Sequence, residues 1–92
     1  VYYLIIAYDS SSDKRRNKMA KKLKAYGERR QYSLFEARVT RDQWASLKKD
    51  LLNIVDEAED ILAVYFLSPE ALEKTFRIGH SELKSLSEPD FV

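Results

Sequence analysis

The sequence has 92 residues, of which 45% are hydrophobic and 34% charged, and its formal net charge is +1. This length suffices for one domain with a modest core, and the hydrophobic content excludes a disordered chain. Cysteine is absent, which excludes disulfides and thiolate zinc sites and fits a reducing cytoplasm. The longest apolar run, residues 1–8, is too short to cross a bilayer, so we expect a cytoplasmic protein without membrane partners. Because the sequence does not begin with Met, we expect that its start has been trimmed.

The first predicted elements are a strand, a turn and a helix. Residues 1–8, VYYLIIAY, are typical of a central strand that is buried on both faces. Residues 9–13, DSSSD, favour a turn, and Asp13 is the predicted N-cap of the helix that follows. That helix has an apolar stripe at residues 19–26, and Gly27 is predicted to end it in the left-handed conformation.

The middle of the sequence predicts a strand region and a second helix. Residues 29–39 are strand-like. Thr40 and Gln43 have the spacing of a capping box, and residues 44–55 continue with a clear apolar face. A helix is therefore predicted from Thr40 onward.

The last predicted elements are a strand and a short helical turn. An acidic loop at residues 56–60 precedes the apolar strand ILAVYFL at residues 61–67. Ser68 and Pro69 indicate a short helical turn, and residues 75–78 are a candidate edge strand. This order predicts an α+β sandwich with two helices on one sheet face. We expect a second copy of the chain to bury the other face, the alternative being a monomer covered by its own C-terminal tail.

Positive charge is concentrated in the predicted first helix and just after it. Residues 14–30 contain nine Lys and Arg side chains against the single acid Glu28, which gives this segment a charge of +8. Arg15 and Arg16 lie in the first helical turn, where the helix dipole disfavours cations. Such a cluster could pair with nucleic-acid phosphates, although most basic helix faces are only solvated. The candidate phosphate contacts are Lys14, Arg15, Arg16, Lys18, Arg29 and Arg30.

Asp9, at the end of the first predicted strand, is the candidate metal ligand. Carboxylate oxygens suit Mg²⁺ or Mn²⁺, which hold phosphates and lower the pKa of a bound water. One Asp binds such an ion weakly, but a two-fold axis near this strand end would bring two copies of Asp9 together. The alternative is that Asp9 only begins the capping turn.

Aromatic residues suggest a second kind of nucleic-acid contact. Tyr8, Tyr32 and Phe35 could stack on bases, with core packing as the alternative for each. His80 is the only histidine, so a catalytic dyad or a histidine metal cluster within one chain is not expected, and we assign it no role.

The sequence also resembles a known family, CRISPR-associated protein 2. The resemblance is carried by YYLIIAYD at residues 2–9, KRRNKMAKKLKAYG at residues 14–27 and ERRQYSLFEARV at residues 28–39. The segments WASLKKDLLNIVD at residues 44–56 and DILAVYFL at residues 60–67 extend it across most of the chain. The serines after Asp9 and the C-terminal tail depart from the family pattern.

The resemblance implies a fold and an assembly. It implies a ferredoxin-like βαββαβ sandwich with an extra C-terminal strand, in which residues 29–31 and 35–39 form a tight hairpin. Residues 1–80 would form the domain, and residues 81–92 a tail that packs on the partner subunit. The family is homodimeric, and its C-terminal segment commonly adds a strand to the partner's sheet.

The resemblance also implies roles for particular residues. Asp9 of each subunit would bind the metal, Mg²⁺ or Mn²⁺. Tyr8, Arg16 and Phe35 fall at positions associated with activity, and Arg29 at a position associated with nucleic-acid contact.

Three functions remain open at this point. The first is a metal-dependent endonuclease that hydrolyses RNA or DNA and takes part in spacer acquisition in CRISPR antiviral defence. The second is a non-catalytic adapter that binds duplex DNA and bridges integrase dimers of CRISPR-associated protein 1. The third is a toxin-like ribonuclease of related fold. The sequence does not choose among them.

Overall fold

The structure, a computed structural model, describes residues 1–31, 33–76 and 78. Its elements in chain order are β1 (Tyr2–Asp9), α1 (Asp13–Lys24), β2 (Gly27–Gln31), β3 (Leu34–Val39), α2 (Arg41–Ile54), β4 (Ile61–Leu67) and α3 (Pro69–Lys74). The strands form one sheet in the order β2-β3-β1-β4, and every neighbouring pair is antiparallel. The predicted ferredoxin-like α+β sandwich is confirmed. Among the residues described, no helix combines the length and the apolarity that crossing a bilayer requires.

One face of the sheet packs against α1 and α2 and forms the core. The side chains of β1 and β3 alternate between the two faces of the sheet, and every second one is buried beneath the helices. The buried core residues are Leu4, Ile6, Tyr8, Met19, Ala20, Leu23, Phe35, Ala37, Val39, Leu47 and Leu51. Two helices therefore cover one sheet face, as predicted.

The second face of the sheet, called here the open sheet face, is apolar along β1 and β4. Strand pairing places on it Tyr3, Ile5, Ala7, Leu34, Ala63, Tyr65 and Leu67, with Asp9 and Ile61 at one end. Tyr65 is 58% exposed and Ile61 68% exposed. Along β2 and β3 the face carries charge, since Arg30 forms ion pairs with Glu28 and Glu36. Within the described chain, β1 is thus fully buried on one face only.

The N-cap of α1 is Ser12 and not the predicted Asp13. The Ser12 hydroxyl oxygen accepts a hydrogen bond from the backbone N–H of Arg15 at 3.1 Å, and Asp13 becomes the first helical residue. The second helix begins as predicted, because Thr40 and Gln43 form a complete capping box.

Gly27 does not end α1 in the left-handed conformation, contrary to the prediction. The helix closes at Ala25, which is right-handed, and Gly27 is the first residue of β2. A Cβ atom on Gly27 would lie 2.0 Å from the carbonyl oxygen of Glu36. Glycine is therefore required here by the close approach of β2 to β3, and not by a special dihedral angle.

The hairpin implied by the family resemblance is present, with longer strands than residues 29–31 and 35–39. Its register shifts between Arg29 and Gln31, because Arg29 pairs with Phe35 whereas Gln31 pairs with Leu34. Two steps along β2 thus oppose one step along β3, as in a β-bulge.

The segment after β4 agrees only in part with the elements predicted from the sequence. The predicted helical turn is α3, which Ser68 caps and Pro69 begins. Thr75, Phe76 and Ile78 lie in no strand of the described chain, so the edge strand predicted at residues 75–78 is not found there. The C-terminal tail, residues 81–92, lies outside the described residues.

Candidate metal and nucleic-acid site

The last two residues of β1 point to opposite faces of the sheet. Tyr8 points into the core and is 4% exposed, and its hydroxyl donates a hydrogen bond to Oδ2 of Asp60 at 2.7 Å. Asp9 points to the open sheet face and is exposed. Its carboxylate makes no hydrogen bond or ion pair with any other residue that the structure describes. The end of β1 thus exposes the Asp9 carboxylate on one face of the sheet and holds the Tyr8 hydroxyl by a hydrogen bond on the other.

Asp60 immediately precedes Ile61, the pairing partner of Asp9. Its side chain is 0% exposed, and its carboxylate accepts four hydrogen bonds. Arg15 donates from Nε to Oδ2 at 2.8 Å and from Nη2 to Oδ1 at 3.0 Å. The backbone N–H of Asp56 donates to Oδ2 at 3.0 Å, and Tyr8 supplies the fourth bond. We call these four residues the Asp60 network. It joins β1, α1 and the loop before β4.

The network perturbs the ionisation of its members in a consistent way. The Arg15 hydrogen bonds hold the pKa of the Asp60 carboxyl well below its usual range, against the opposing effect of burial. Burial, with the bond to Asp60 adding to it, raises the pKa of the Tyr8 phenol. The bond to Asp60 raises the pKa of the Arg15 guanidinium. Asp60 is therefore an ionised carboxylate and Tyr8 a neutral phenol at neutral pH.

The acidic loop before β4 folds so that Asp60 points inward. The carboxylate of Asp56 accepts from the backbone N–H of Ala58 at 2.9 Å, and the backbone N–H of Asp60 donates to the carbonyl of Asp56 at 2.8 Å. These bonds form a closed turn of the kind that Asp favours. The loop at residues 56–60, which the sequence described only as acidic, thus forms a hydrogen-bonded turn that holds the Asp60 carboxylate in its buried position.

The serine-rich turn after Asp9 is also fixed. Ser10 is 5% exposed, and its hydroxyl oxygen accepts from the backbone N–H of Ser12 at 3.0 Å. The Arg16 guanidinium donates to the carbonyl oxygen of Ser10 and to the carboxylate of Asp13. Arg16 therefore lies against the residue that follows Asp9, and 44% of its side chain is exposed. The predicted pair of Asp9 and Arg16 is brought to one end of the sheet.

Two of the three aromatic candidates, Tyr8 and Phe35, lie in the core. Phe35 is 2% exposed, and the Arg29 guanidinium lies 5.5 Å from the centre of its ring. Because Tyr8 is also buried, neither ring can stack on a base in this structure, and core packing is the arrangement found for both. Tyr32 and His80 lie outside the described residues.

The remaining basic candidates lie in three environments. The candidates Lys14 and Lys18, and with them Lys21, are exposed on α1 at i, i+4 and i+7, which places them on one side of the helix, and we call these three residues the lysine stripe. Arg15 is bound to Asp60 and approaches Asp56 at 3.9 Å, so its guanidinium has an internal partner. Arg30 forms its ion pairs on the open sheet face, away from α1. The phosphate contacts predicted for Arg15, Arg29 and Arg30 stay predictions.

Among the described residues, the acidic side chains do not form a complete metal site. In the described part of the molecule, no group of three or more His, Cys, Asp or Glu side chains is close enough to hold an ion. Asp9 fits Mg²⁺ or Mn²⁺ by its donor chemistry, as an exposed carboxylate. The remaining ligands would come from water, a phosphate or a second chain.

Asp60 is the residue that sequence reasoning missed. It was grouped with a loop of like charges, although two signals pointed to a specific role. Arg15 stands in the first turn of a helix, where the dipole disfavours it. In the ferredoxin-like order, the start of β4 must also lie beside the end of β1. An acid preceding β4 therefore had a cation and a tyrosine within reach.

The fold and the site define a ferredoxin-like domain with an exposed strand-end carboxylate and a basic first helix. Residues 2–75 match the family model described as CRISPR associated protein Cas2. The chain belongs to this Cas2 family.

Known relatives agree with the family match over nearly the whole chain. A protein of Thermus thermophilus, named CRISPR-associated endoribonuclease Cas2, is 62% identical over 90 residues, which are 98% of this chain and 96% of that protein. A protein of Halalkalibacterium halodurans, named CRISPR-associated endonuclease Cas2, is 35% identical over 94% of this chain and 95% of its own length.

Solved structures agree with the fold. Cas2 of Streptococcus pyogenes, crystallised at pH 6.5, is 29% identical with a TM-score of 0.73, covering 84% of this chain and 99% of that one. A chain of a structure described as a partial Cas6-RT-Cas1–Cas2 complex is 27% identical with a TM-score of 0.72, covering 85% of this chain and 91% of that one.

The lowered pKa of Asp60 predicts a specific acid sensitivity. A carboxyl whose folded pKa lies below its unfolded value of 3.8 stabilises the fold at higher pH and loses that contribution as pH falls below about 4. Asp60→Asn should therefore be less stable than the wild type at neutral pH, and the difference should shrink at about pH 2.5. Urea unfolding at both pH values measures it.

Asp50→Asn is the matched control, since its carboxylate forms an exposed pair with Lys22. It should change stability little at either pH. A wild-type advantage over Asp60→Asn that is equal at both pH values would contradict the assignment.

Proposed function

We propose that this protein is a homodimeric, divalent-metal-dependent endonuclease that cleaves RNA or DNA during CRISPR spacer acquisition. The observation that carries this proposal is the position of Asp9. It continues the row of Tyr3, Ile5 and Ala7 on the open sheet face and pairs with Ile61 at the end of that face. A second copy that covered this face would meet Asp9 at its edge.

The surface of the open sheet face supports a symmetric dimer. It combines an apolar region on β1 and β4 with Tyr65 and Ile61 strongly exposed. Along β2 and β3, Arg30 forms ion pairs with Glu28 and Glu36 within the chain, and the Arg38 guanidinium lies over the Tyr3 ring. An apolar centre bordered by charged groups is typical of a protein–protein interface. Two identical chains meeting through it form an isologous contact.

The dimer would also complete the metal site. Each chain contributes one carboxylate, and two carboxylates that approach each other repel unless a cation lies between them. Asp9 from both subunits would hold Mg²⁺ or Mn²⁺. Such an ion neutralises phosphate charge and lowers the pKa of a bound water, which is the chemistry that phosphodiester hydrolysis needs. The Arg16 guanidinium, held against the carbonyl of Ser10, would contact the phosphate beside Asp9.

The lysine stripe would position the nucleic acid. Its three ammonium groups lie along one side of α1 and are exposed. Lysine contacts to phosphates position a nucleic acid without reading its bases. Arg15 is not needed for this role, because Asp60 already binds it.

A second function is favoured by one comparison. One structure similar to this chain contains Cas1 together with Cas2. We therefore also propose that the dimer serves as an adapter that joins Cas1 integrase dimers and holds incoming duplex DNA. The relatives named endoribonuclease and endonuclease support the catalytic role. The two roles use the same dimer and differ in whether Asp9 is needed.

Replacing Tyr65 tests the dimer. Tyr65→Glu adds a charge to the apolar region of the open sheet face on β4 and should convert the dimer to a monomer in sedimentation equilibrium at micromolar concentration. Leu52→Glu is the matched control, because Leu52 is 57% exposed on α2 and Tyr65 is 58% exposed. A dimer that survives Tyr65→Glu, or that Leu52→Glu also disrupts, argues against this interface.

Replacing Asp9 tests the chemistry. Asp9→Asn should reduce Mg²⁺-dependent cleavage of RNA or duplex DNA by more than about 100-fold, beyond the effect typical of residues that only support a metal ligand. The variant should remain dimeric, because the substitution keeps the shape of the side chain and removes the repulsion between the two carboxylates. Asp42→Asn is the control, since Asp42 is an exposed acid in the first turn of α2, at the opposite end of the sheet.

The same variant separates the two proposed roles. If Asp9→Asn loses cleavage but still supports spacer integration with Cas1, the adapter role is the biological one. If cleavage by the purified wild type does not depend on Mg²⁺ or on Asp9, the nuclease proposal is wrong.

Neutralising the lysine stripe tests the nucleic-acid surface. The triple variant Lys14→Gln, Lys18→Gln, Lys21→Gln should weaken duplex binding and reduce the slope of log K against log salt by roughly 3 for each subunit that engages the duplex. Fluorescence anisotropy over a salt series measures it. The control neutralises Arg41, Lys48 and Lys49, three exposed cations on α2. Equal losses in both triple variants would indicate a general effect of net charge and reject the stripe.

A further inference from the structure

We propose that Asp60, acting through Tyr8 and Arg15, is a positioning residue that fixes the Asp9 carboxylate for metal binding. This inference rests on the proposed function of Asp9. In this proposal, the buried carboxylate of Asp60 supports the metal site at Asp9 without contacting the metal itself.

The geometry provides a direct mechanical link. Asp60 immediately precedes Ile61, which is the pairing partner of Asp9 in the sheet. Tyr8, which immediately precedes Asp9, is bonded to Asp60 at 2.7 Å. The backbone of Asp9 is thus held from the preceding residue and from the neighbouring strand by groups that converge on one carboxylate.

The opposite side of Asp9 is fixed through α1. Arg15 ties the first turn of α1 to Asp60 by two hydrogen bonds, and the backbone N–H of Arg15 donates to the Ser12 cap. The backbone N–H of Ser12 in turn donates to the hydroxyl of the buried Ser10, which follows Asp9. Residues on both sides of Asp9 are therefore anchored, while Asp9 itself is exposed.

A site with one carboxylate from each subunit needs this rigidity. A single ligand per chain has no neighbouring ligand to correct its direction, and metal or catalytic groups must be held to within about 0.5 Å of their productive position. In a symmetric pair, any displacement of one carboxylate is repeated in the other. Partners that support metal ligands commonly contribute about 10-fold to 100-fold to metal affinity.

The alternative is that the Asp60 network only stabilises the fold. Two substitutions separate the possibilities. Tyr8→Phe removes one hydrogen bond to Asp60 and keeps the buried ring, and Asp60→Asn removes the charge but not the shape. Glu57→Gln is the matched control, an exposed carboxylate of the same loop.

The experiment titrates the dimer with Mn²⁺ and follows binding by electron paramagnetic resonance. Tyr8→Phe should weaken Mn²⁺ binding about 10-fold, and Glu57→Gln should leave it unchanged. Saturating Mn²⁺ should restore the kcat of Tyr8→Phe, because a positioning group acts through metal affinity. Wild-type affinity in Tyr8→Phe, or a kcat that saturating Mn²⁺ does not restore, overturns the proposal. Asp60→Asn should weaken binding further, and if it does not fold, Tyr8→Phe still decides.

A second readout needs no metal. In the metal-free dimer, amide hydrogen exchange at Asp9 and Ser10 should be faster in Tyr8→Phe than in the wild type, and unchanged in Glu57→Gln. Unchanged exchange in Tyr8→Phe overturns the proposal. If exchange accelerates but Asp9→Asn binds Mn²⁺ as tightly as the wild type, the anchoring of the strand end stands while the proposed metal role of Asp9 fails.

Discussion

A carboxylate that is shielded from water must find hydrogen-bond donors within the protein, and this requirement organises one end of the molecule. Asp60 meets it with four donors, taken from β1, α1 and its own loop. The two donors of Arg15 also fix the first turn of α1, whose position the sheet alone would not determine. Burial of one charge therefore ties the first helix to the place where the paired strands β1 and β4 meet.

The alternation of side chains along β1 turns this structural constraint into a candidate functional one. Because successive side chains point to opposite faces, anchoring Tyr8 in the core forces Asp9 outward onto the open sheet face. Tyr8, whose hydroxyl is held by Asp60, is therefore the immediate sequence neighbour of Asp9, whose carboxylate is exposed. A shift of one position in the register of β1 would bury Asp9 and expose Tyr8, so the packing of the core also selects which carboxylate is presented.

Much of the fold could be predicted from the sequence, because its signals are local. The apolar runs of β1 and β4, the apolar stripe of α1 and the capping box at Thr40 act over a few residues, and all of them are found in the structure. The prediction for Gly27 was wrong because glycine is required there by a neighbouring strand. A Cβ atom at this position would lie 2.0 Å from the carbonyl oxygen of Glu36 in β3. The hairpin was expected only from the family resemblance, since its turn carries no Gly or Pro.

The candidate site was predictable only where one residue carries its own signal. Asp9 follows an apolar strand and is recognisable alone, whereas Asp60 acquires its role from Arg15 and Tyr8, 45 and 52 positions away. The role of Arg15 likewise depends on a residue that is distant in sequence. Its charge suggested a phosphate contact, but a cation in the first turn of a helix is disfavoured unless an anion lies nearby, and Asp60 is that anion. The unfavourable position of Arg15 is therefore explained by an internal partner, whereas the lysines of α1 and Arg16 are more exposed.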